Sequence, residues 1–329
     1  MAHYDVLIIG AGPAGLTAGL YCGRARLKTV IVEQGLPGGE LVNTPRIEDY
    51  PGFEAIGGPE LAERLERQAR TFGVEITTDA VVEVASEGDW KRVVAGAGSD
   101  TAGAVIVAAG GKPQKLDVPG EAELAGRGVS YCALCDGPFF WDQVIAVVGG
   151  GNTAVEAADY LTTFGKKVYL IHRRDALRAQ PIIRERALAN PKLEVHWNTV
   201  VEAIKGRDQV EAIVLTSVGG EERWELPAGG VFIFIGFSPN HIRDHANHDQ
   251  LGFFLTDERM QTSVPGLFAV GDIRAQPVRQ ITNATASASG CGSSTLRQRP
   301  ICRRSLCSSL PNGTRWRIPS IGLPSRSRK

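Results

Sequence analysis

Several features that would place a chain in a particular class are missing from this sequence. None of its apolar runs reaches the roughly 18 residues that a membrane-spanning helix needs. Its six cysteines are too few to hold 329 residues together as a disulfide scaffold. The opening MAHYDVLIIGAG has no basic stretch before its apolar run, which is typical of a β-strand and not of a signal peptide. We therefore expect a globular protein of the reducing cytoplasm with no membrane partner, and the length favours two domains.

Acidic residues are absent from one part of the chain. None follows Asp272, although eleven of the 36 lysines and arginines lie there. The first 272 residues therefore carry a formal charge of −11, and the remainder is strongly basic. Such a basic segment is found both in nucleic-acid-binding patches and in solvated tails.

A first candidate nucleotide-binding unit occupies the beginning of the chain. Residues 4–9 form an apolar strand that leads into a helix starting near Pro13. Three glycines lie at this turn in the spacing GxGxxG: Gly10, Gly12 and Gly15. Glycines there allow a tight turn and a close approach to a pyrophosphate, towards which the helix N–H groups point. The next strand ends at Glu33, where a carboxylate can accept from ribose hydroxyls, so this unit suits FAD or NAD.

A second unit repeats the pattern in VIAVVGGGNTAVEAADYL. Gly149, Gly151 and Ala154 form the variant GxGxxA between an apolar strand and a helix. The following strand ends in basic residues and not in an acid: His172, Arg173 and Arg174, with Arg178 four residues further on. Guanidinium groups bind a 2′-phosphate through charge-assisted, bidentate contacts. We predict that this unit prefers NADPH.

The order of these motifs predicts an α/β fold with two Rossmann-like, doubly wound dinucleotide-binding domains. We expect a discontinuous first domain at residues 1–117 and 245–329, with the second domain inserted as residues 118–244. A helix between the two motifs should bury one face, carrying Leu61, Leu65, Ala69 and Phe72. Gly271 and Asp272 end a later apolar strand, at the carboxyl edge where open α/β sheets place ligands.

The stretch YCALCDG places Cys132 and Cys135 three residues apart, just before the second glycine motif. A structural zinc site would need further ligands, and no other CxxC or histidine pair lies nearby. A permanent disulfide closing so short a loop would constrain little of the unfolded chain. A redox pair is the interpretation we favour, because CxxC cysteines readily form reactive thiolates. Asp136 beside the pair could act as a general acid, or serve only as a turn or helix-capping residue.

In content and order, these motifs resemble the low-molecular-weight, bacterial-type thioredoxin reductases, which are class II pyridine nucleotide-disulfide oxidoreductases. The motifs that carry the resemblance are Glu33 after GxGxxG, GGE, CALCDG, GGGNTAVEAA, HRRDALRAQ and GDIRAQPVRQIT, spread from residue 4 to about 286. The resemblance implies a redox pair of Cys132 and Cys135 with Asp136 as general acid. It implies that Cys135 lies nearer the flavin and that Cys132 attacks the partner, a thioredoxin.

The resemblance also implies two sets of cofactor residues and a homodimer. The FAD set is Gly10, Gly12, Pro13, Ala14, Gly15, Glu33, Gln34, Gly38, Gly39, Glu40, Gly110, Gly271, Asp272, Arg279, Gln280 and Ile281. The NADPH set is Gly149, Gly151, Asn152, Thr153, Ala154, His172, Arg173, Arg174 and Arg178.

Two positions depart from the pattern of that family. Glu40 stands where the pattern has glutamine, and Asp49 stands where it has asparagine. An ionised carboxylate only accepts hydrogen bonds, whereas an amide also donates. We therefore expect altered hydrogen bonding to the flavin at these two positions.

The distribution of sites between the domains constrains the mechanism. The nicotinamide and the cysteine pair must each reach the flavin, and a partner protein must then reach the reduced pair. We therefore expect a hinge around residues 111–120 and 244–250. The leading hypothesis is NADPH-dependent reduction of thioredoxin. Reduction of another protein or small-molecule disulfide is an alternative, and a non-catalytic NADP(H)-sensing or zinc-binding module is a second.

Residues 287–329 do not fit the family pattern, which calls for a helix of small residues returning to the first domain. They are rich in serine and proline and have no 3.6-residue periodicity, so we predict no packed helix there. Three explanations are open: a disordered basic tail, a cysteine-bearing tail that takes electrons from the first pair, or a reading-frame error after about Ala286. We favour the third explanation and expect no nucleic-acid partner.

Overall fold

The computed structural model describes residues 1–276 and 278–295, which build two α/β units. The first unit begins with a strand, a glycine turn and a helix, as the sequence predicts. Its strands are β1 (His3–Ile9), β2 (Thr29–Glu33), β3 (Glu75–Thr78), β4 (Val81–Glu87), β5 (Trp90–Ala95) and β6 (Gly98–Val107). Its helices are α1 (Pro13–Arg24) and α2 (Gly58–Thr71), and a 3-10 helix covers Gly39–Asn43.

The second unit follows a short connecting strand, β7 (Gly111–Pro113). Its strands are β8 (Val129–Ser130), β9 (Val144–Gly149), β10 (Lys167–Ile171), β11 (Leu193–His196), β12 (Thr199–Lys205), β13 (Ala212–Ser217), β14 (Arg223–Pro227) and β15 (Gly230–Phe234). Its helices are α3 (Ala133–Asp136), α4 (Asn152–Leu161) and α5 (Pro181–Leu188), and a 3-10 helix covers Gly137–Phe140. The chain then returns through β16 (Phe237–Pro239) to β17 (Leu267–Ala269), a 3-10 helix (Gly271–Ile273) and α6 (Ile281–Thr295).

Each unit is organised around a parallel sheet. In the first, the order is β3-β2-β1-β6-β5-β4, with β17 also parallel to β6 and with β4 and β5 antiparallel. In the second, β11-β10-β9-β15-β8 is parallel throughout, and β12-β13-β14 forms a separate antiparallel sheet. Because β1 and β9 are central strands covered on both faces, β1 from Val6 onward and the whole of β9 consist of apolar residues and glycine. The two Rossmann-like units that the sequence predicts are thereby confirmed.

The two units are joined by a pair of antiparallel strands. Strand β7, which leaves the first unit, is hydrogen-bonded to β16, which returns to it, with Ser238 opposite Lys112. Immediately after β16, the Asn240 side chain donates to the Ala109 carbonyl oxygen of the first unit at 2.7 Å. The predicted domain boundaries at residues 117 and 245 stay predictions.

The prediction that residues from 287 onward form no packed helix is wrong for the first of them. Helix α6 continues to Thr295 and packs against α1. Ala288 and Cys291 are fully buried in the core of the first unit, and the Ser287 hydroxyl accepts from the Gly271 N–H at 3.1 Å. Small residues permit this close packing although they give no strong apolar periodicity. The predictions for residues 296–329 lie outside the described part of the chain.

The helix predicted between the two motifs is α2. Leu61 and Ala69 are buried as predicted, but Phe72 is 39% exposed, which corrects the sequence prediction. Phe72 comes after the last helical residue, and the Arg24 guanidinium lies over its ring at 5.3 Å. Cys22 is buried in α1, and burial raises the pKa of its thiol to about 12. Among the described residues, no helix is long and apolar enough to cross a bilayer.

Candidate active site between two dinucleotide-binding edges

The glycine turn after β1 leaves a helix start open to a ligand. Gly10 has φ 99°, and a Cβ on Gly15 would lie 1.8 Å from the Gly10 carbonyl oxygen, so neither position accepts a side chain. Gly12 precedes α1 and offers no side chain to the first N–H groups of that helix. A Cβ on Gly12 would meet only the Gly39 Cα, at 3.9 Å. The start of α1 is therefore a cradle suited to a phosphate group.

Glu33 lies at the end of β2 beside this turn. Its Oε2 accepts from the Ala11 N–H at 2.7 Å, and its Oε1 accepts from the Gly35 N–H at 2.9 Å. Each carboxylate oxygen keeps a further lone pair, so the fixed side chain can also accept from ribose hydroxyls. Gln34, which follows it, is exposed.

Asp272 lies at the same sheet edge, after β17. Gly271 has φ 70°, and a Cβ there would lie 2.8 Å from the Ala14 Cβ, so this turn fits closely against α1. The Asp272 carboxylate accepts from the Gln276 side chain at 3.2 Å. Burial raises the pKa of Asp272, and the nearby Arg279 charge opposes that change.

Three further predicted FAD residues lie just before α6 or at its first position, and a fourth follows β6. Arg279 lies with its guanidinium 4.4 Å from the centre of the Phe253 ring. Gln280 and Ile281 lead into α6, and the Ile281 side chain packs against the cluster around Leu41. Gly110 has φ 58°, and a Cβ there would meet no atom within 4 Å.

The segment Gly38 to Glu40 completes this edge. Gly38 and Gly39 have φ 124° and 55°, which admit the backbone close to Gly12. Glu40 lies in the 3-10 helix Gly39–Asn43, and its Oε2 accepts from the Asn43 amide at 3.3 Å. Partial removal of water by the surrounding protein raises the pKa of Glu40 although its side chain is exposed, the Asn43 bond lowers that pKa, and the Asp272 charge raises it. The open helix start, the carboxylate at the strand end and the space beside Gly12 and Gly110 fit the adenine dinucleotide of FAD.

The second unit has an equivalent edge. Gly149 has φ 150°, and a Cβ there would lie 2.6 Å from the Ala154 Cβ, so only glycine allows α4 to pack so close. Gly151 precedes α4 without a capping side chain, and a Cβ there would meet open space. The Asn152 Oδ1 accepts from the Gln180 N–H at 2.9 Å, which ties this turn to the start of α5. Thr153 is exposed at the first turn of α4.

The basic residues after β10 lie beside this turn. Arg173, Arg174 and Arg178 are exposed, and within the described ranges none has an ion-pair partner within 4 Å. The Arg178 N–H donates to the Gly150 carbonyl oxygen at 2.7 Å, which places this arginine beside the glycine turn. These free guanidinium groups beside an open helix start fit the 2′-phosphate of NADPH.

His172 differs from the three arginines because it is only 5% exposed. A Cβ on Gly150 would lie 2.2 Å from its ring, and its Nε2 lies 3.0 Å from the Ala176 carbonyl oxygen. Burial lowers the pKa of His172, and the charges of Arg178 and Arg174 add to that effect. The His172 ring packs closely against the glycine turn at Gly150. Its direct contact with NADPH stays a prediction.

Cys132 and Cys135 are joined by a disulfide, with their Cα atoms 5.4 Å apart. Cys132 precedes α3, and its sulfur accepts from the Cys135 N–H at 3.1 Å. Cys132 is half-buried and Cys135 is exposed. Asp136 is the last residue of α3 and is half-buried. In residues 1–276 and 278–295, no three or more His, Cys, Asp or Glu side chains are placed to hold a metal ion.

The disulfide of the second unit touches the first unit at Asn43. The Asn43 Oδ1 lies 3.2 Å from the Cys132 sulfur and 3.6 Å from the Cys135 sulfur. Sequence reasoning missed Asn43, because 89 residues separate it from Cys132 and no motif marks it. The cysteine pair is thus held against the 3-10 helix Gly39–Asn43.

Two further features of the site were missed as well. Phe139 and Trp141 follow the pair closely in the chain and are 76% and 69% exposed, so they present apolar area to solvent. Asp49 of the first unit faces Glu156 of α4, and burial together with Asp49 and Glu48 raises the pKa of Glu156 to about 7. The aromatic residues are visible in the sequence as GPFFW, but only the structure shows which of them are exposed.

Known proteins match this chain over most of its length. The family described as pyridine nucleotide-disulphide oxidoreductase matches residues 4–288. Thioredoxin reductase of Bacillus subtilis is 47% identical over 289 residues, covering 87% of this chain and 92% of that protein. Lactococcus lactis thioredoxin reductase in its FR conformation superposes with a TM-score of 0.85, at 42% identity, over 89% of this chain and 97% of its own. Thioredoxin reductase of Streptococcus pyogenes, 46% identical with the same coverage, has a TM-score of 0.58. The chain belongs to the pyridine nucleotide-disulphide oxidoreductase family.

Proposed function

We propose that this chain is a thioredoxin reductase, which uses NADPH and FAD to reduce a thioredoxin disulfide through Cys132 and Cys135. The observation that carries the proposal is the position of the disulfide. It lies on the unit with the arginine-lined edge and touches the unit with the Glu33 edge. Relatives that bear the name thioredoxin reductase and cover most of the chain support this assignment.

Each cofactor has a set of residues to hold it. FAD would lie on the first unit, with its phosphates at the start of α1, a ribose at Glu33 and the ribityl chain near Asp272. NADPH would lie on the second unit, with its phosphates at the start of α4 and its 2′-phosphate at Arg173, Arg174 and Arg178. The bound flavin would accept a hydride from NADPH and supply two electrons for opening a disulfide.

The two cysteines have different surroundings, which suits different roles. The Cys135 N–H donates to the Cys132 sulfur, and this bond would stabilise negative charge on Cys132 once the disulfide is open. We therefore assign Cys132 as the thiolate that attacks thioredoxin and Cys135 as the cysteine that faces the flavin. Asp136 adjoins Cys135 in the chain, and we assign it the return of a proton to the leaving thiolate.

Turnover requires the two units to change their relative placement. Both the NADPH edge and the cysteine pair are on the second unit, and they cannot both face the flavin at the same time. We place the hinge at the strand pair β7 and β16, where the chain passes twice between the units. Two relatives of similar identity and coverage differ in TM-score, 0.85 against 0.58, which supports two placements of units whose internal folds are alike.

The exposed aromatic residues suit a protein substrate. Phe139 and Trp141 lie within ten residues of the disulfide and present apolar area, which protein interfaces favour. We also propose, from the family resemblance, that the chain works as a homodimer in the cytoplasm. Light scattering of the purified protein would check the dimer.

The test is a direct assay of the purified full-length chain. We expect a yellow protein whose flavin absorbance bleaches with NADPH and which then reduces thioredoxin through several turnovers. Cys132→Ser should abolish thioredoxin reduction and leave flavin bleaching intact, whereas Cys307→Ser should change neither. Turnover of thioredoxin by Cys132→Ser would contradict the proposal. A higher kcat/KM for a low-molecular-weight disulfide than for thioredoxin would point to another substrate.

A further inference from the structure

A short series of polar side chains connects the first unit to the redox disulfide. Asp272 lies close enough to Glu40 to raise the pKa of that carboxyl, and Glu40 accepts from Asn43 at 3.3 Å. Asn43 then contacts both sulfurs, at 3.2 and 3.6 Å. Glu40 and Asn43 are held three residues apart by the same 3-10 helix, Gly39–Asn43. This series of side chains therefore reaches from the first unit to the second through the Asn43 side chain.

The orientation of the Asn43 amide follows from the chemistry of Glu40. The two ends of an amide have nearly the same shape, so the hydrogen-bond partners decide which end points where. The Asn43 NH₂ group donates to the Glu40 Oε2 at 3.3 Å, which is the only direction open to this bond while Glu40 is ionised. The amide oxygen is left to face the sulfurs. A glutamine at position 40 could donate as well as accept, and it would not fix the amide in this way.

An oxygen facing the sulfurs has a definite effect once the pair is reduced. It accepts a hydrogen bond from a thiol S–H, but it offers no donor to a thiolate. The protonated form of the nearest cysteine is therefore favoured in this placement of the two units, which keeps that thiol unreactive until the units separate. Among the described residues, the charged groups that act on Glu40 and Asp272 are each other and Arg279, and Asp136 directly follows Cys135 in the chain.

We propose that Asn43 is a positioning residue of the redox reaction. Its amide oxygen, oriented by Glu40, holds the Cys132–Cys135 pair against the first unit and favours its protonated form. The inference rests on the proposed function, because it assigns Asn43 a part in the reduction of that pair. Glu40 acts through Asn43 and is a positioning residue as well.

The first measurement is the pH dependence of thiol alkylation in the reduced, FAD-loaded full-length protein, with iodoacetamide as the probe. Asn43→Asp places a negative charge beside the sulfurs, so the midpoint should move up by about one pH unit. Asn43→Ala removes the hydrogen-bond acceptor beside the thiol, so the midpoint should move down by roughly half a unit or more. Glu40→Gln releases the amide and should also move it down. Gln68→Ala, which removes an exposed amide on α2 of the first unit, is the matched control and should leave it unchanged.

The second measurement is a single turnover with one equivalent of NADPH. Asn43→Ala should leave the rate of flavin bleaching unchanged and slow the appearance of titratable thiols by about fivefold, the equivalent of one hydrogen bond. Equal alkylation midpoints in wild type, Asn43→Asp and Asn43→Ala would overturn the inference, as would unchanged thiol appearance in Asn43→Ala. These outcomes are distinct from failure of the proposed function, in which the wild-type protein itself would not reduce thioredoxin with NADPH.

Discussion

Glu48 of the first unit and Arg186 of the second are joined by an ion pair of 2.8 Å. Arg46 shares the same carboxylate from its other side, also at 2.8 Å. The bond from Arg186 lowers the pKa of Glu48, and Arg46 adds to that effect. All three side chains reach solvent, so the pair contributes at most about 1 kcal/mol and weakens in salt. An ion pair of that strength favours the described placement of the two units but is too weak to prevent another one.

Arg186→Gln should therefore shift the population of the two placements by up to about fivefold, away from the one described here. Energy transfer between dyes attached to the two units would measure the shift, and added salt should reproduce it in the wild-type protein. The matched control is Arg223→Gln. Arg223 pairs with Glu202 at 2.8 Å within the second unit, and its loss should leave the placement unchanged. Equal populations in wild type and Arg186→Gln would contradict the bias.

Glu156 predicts a pH dependence at the same junction. Its folded-state pKa is about 7, above the usual carboxyl value, because nearby protein atoms displace part of its water and because of the Asp49 and Glu48 charges, although the side chain keeps contact with solvent. Between the usual carboxyl pKa of the unfolded chain and the raised pKa of the folded protein, the folded protein binds more protons. Its stability therefore falls as pH rises through about 7. Glu156→Gln should remove this loss, so its Tm should exceed that of wild type near pH 8 and match it near pH 5. Glu185→Gln, on α5, is the control. A constant difference in Tm over this range would contradict the assignment.

The sequence was sufficient to predict both glycine turns and the side chains that follow the next strands, because each depends on local spacing. Glycines at Gly10 and Gly149 are needed where a strand turns directly into a helix, and both have positive φ. The acid at Glu33 and the arginines after β10 follow their strands by fixed intervals. The α/β fold class and the disulfide between Cys132 and Cys135 could therefore be anticipated.

Contacts between the units could not be predicted in this way. Asn43 and Cys132 are brought together only by the folding of both units and by their relative placement. The same is true of Glu48 and Arg186, which are 138 residues apart. Helix α6 was missed for a different reason. Its buried residues Ala284, Ala288 and Cys291 are small, so the face that packs on α1 leaves little apolar pattern in the sequence.

Replacing the glycines of the first turn should have two different effects, one on the stability of the fold and one on FAD content. Gly15→Ala would place its Cβ 1.8 Å from the Gly10 carbonyl oxygen, so α1 must move and unfolding should become easier by about 1–3 kcal/mol. Gly12→Ala has room for its Cβ and an extended conformation that alanine adopts, so the fold should persist while FAD content falls. Thermal unfolding and the flavin-to-protein absorbance ratio measure the two effects. Full FAD content in Gly12→Ala would contradict a phosphate site at this turn.

The arginines after β10 should decide which nicotinamide cofactor is used. Arg174→Ala removes one charge-assisted contact to the 2′-phosphate, which is worth about 1.5–3 kcal/mol. The KM for NADPH should rise by roughly ten- to a hundredfold, and kcat/KM for NADH should stay unchanged because NADH lacks that phosphate. Arg207→Ala, an exposed arginine between β12 and β13, should alter neither constant. Steady-state kinetics with both cofactors measure the difference. An equal loss of kcat/KM with NADPH and NADH would show that Arg174 acts on the fold or on the shared part of the cofactor, and the assignment of the 2′-phosphate site would then be wrong.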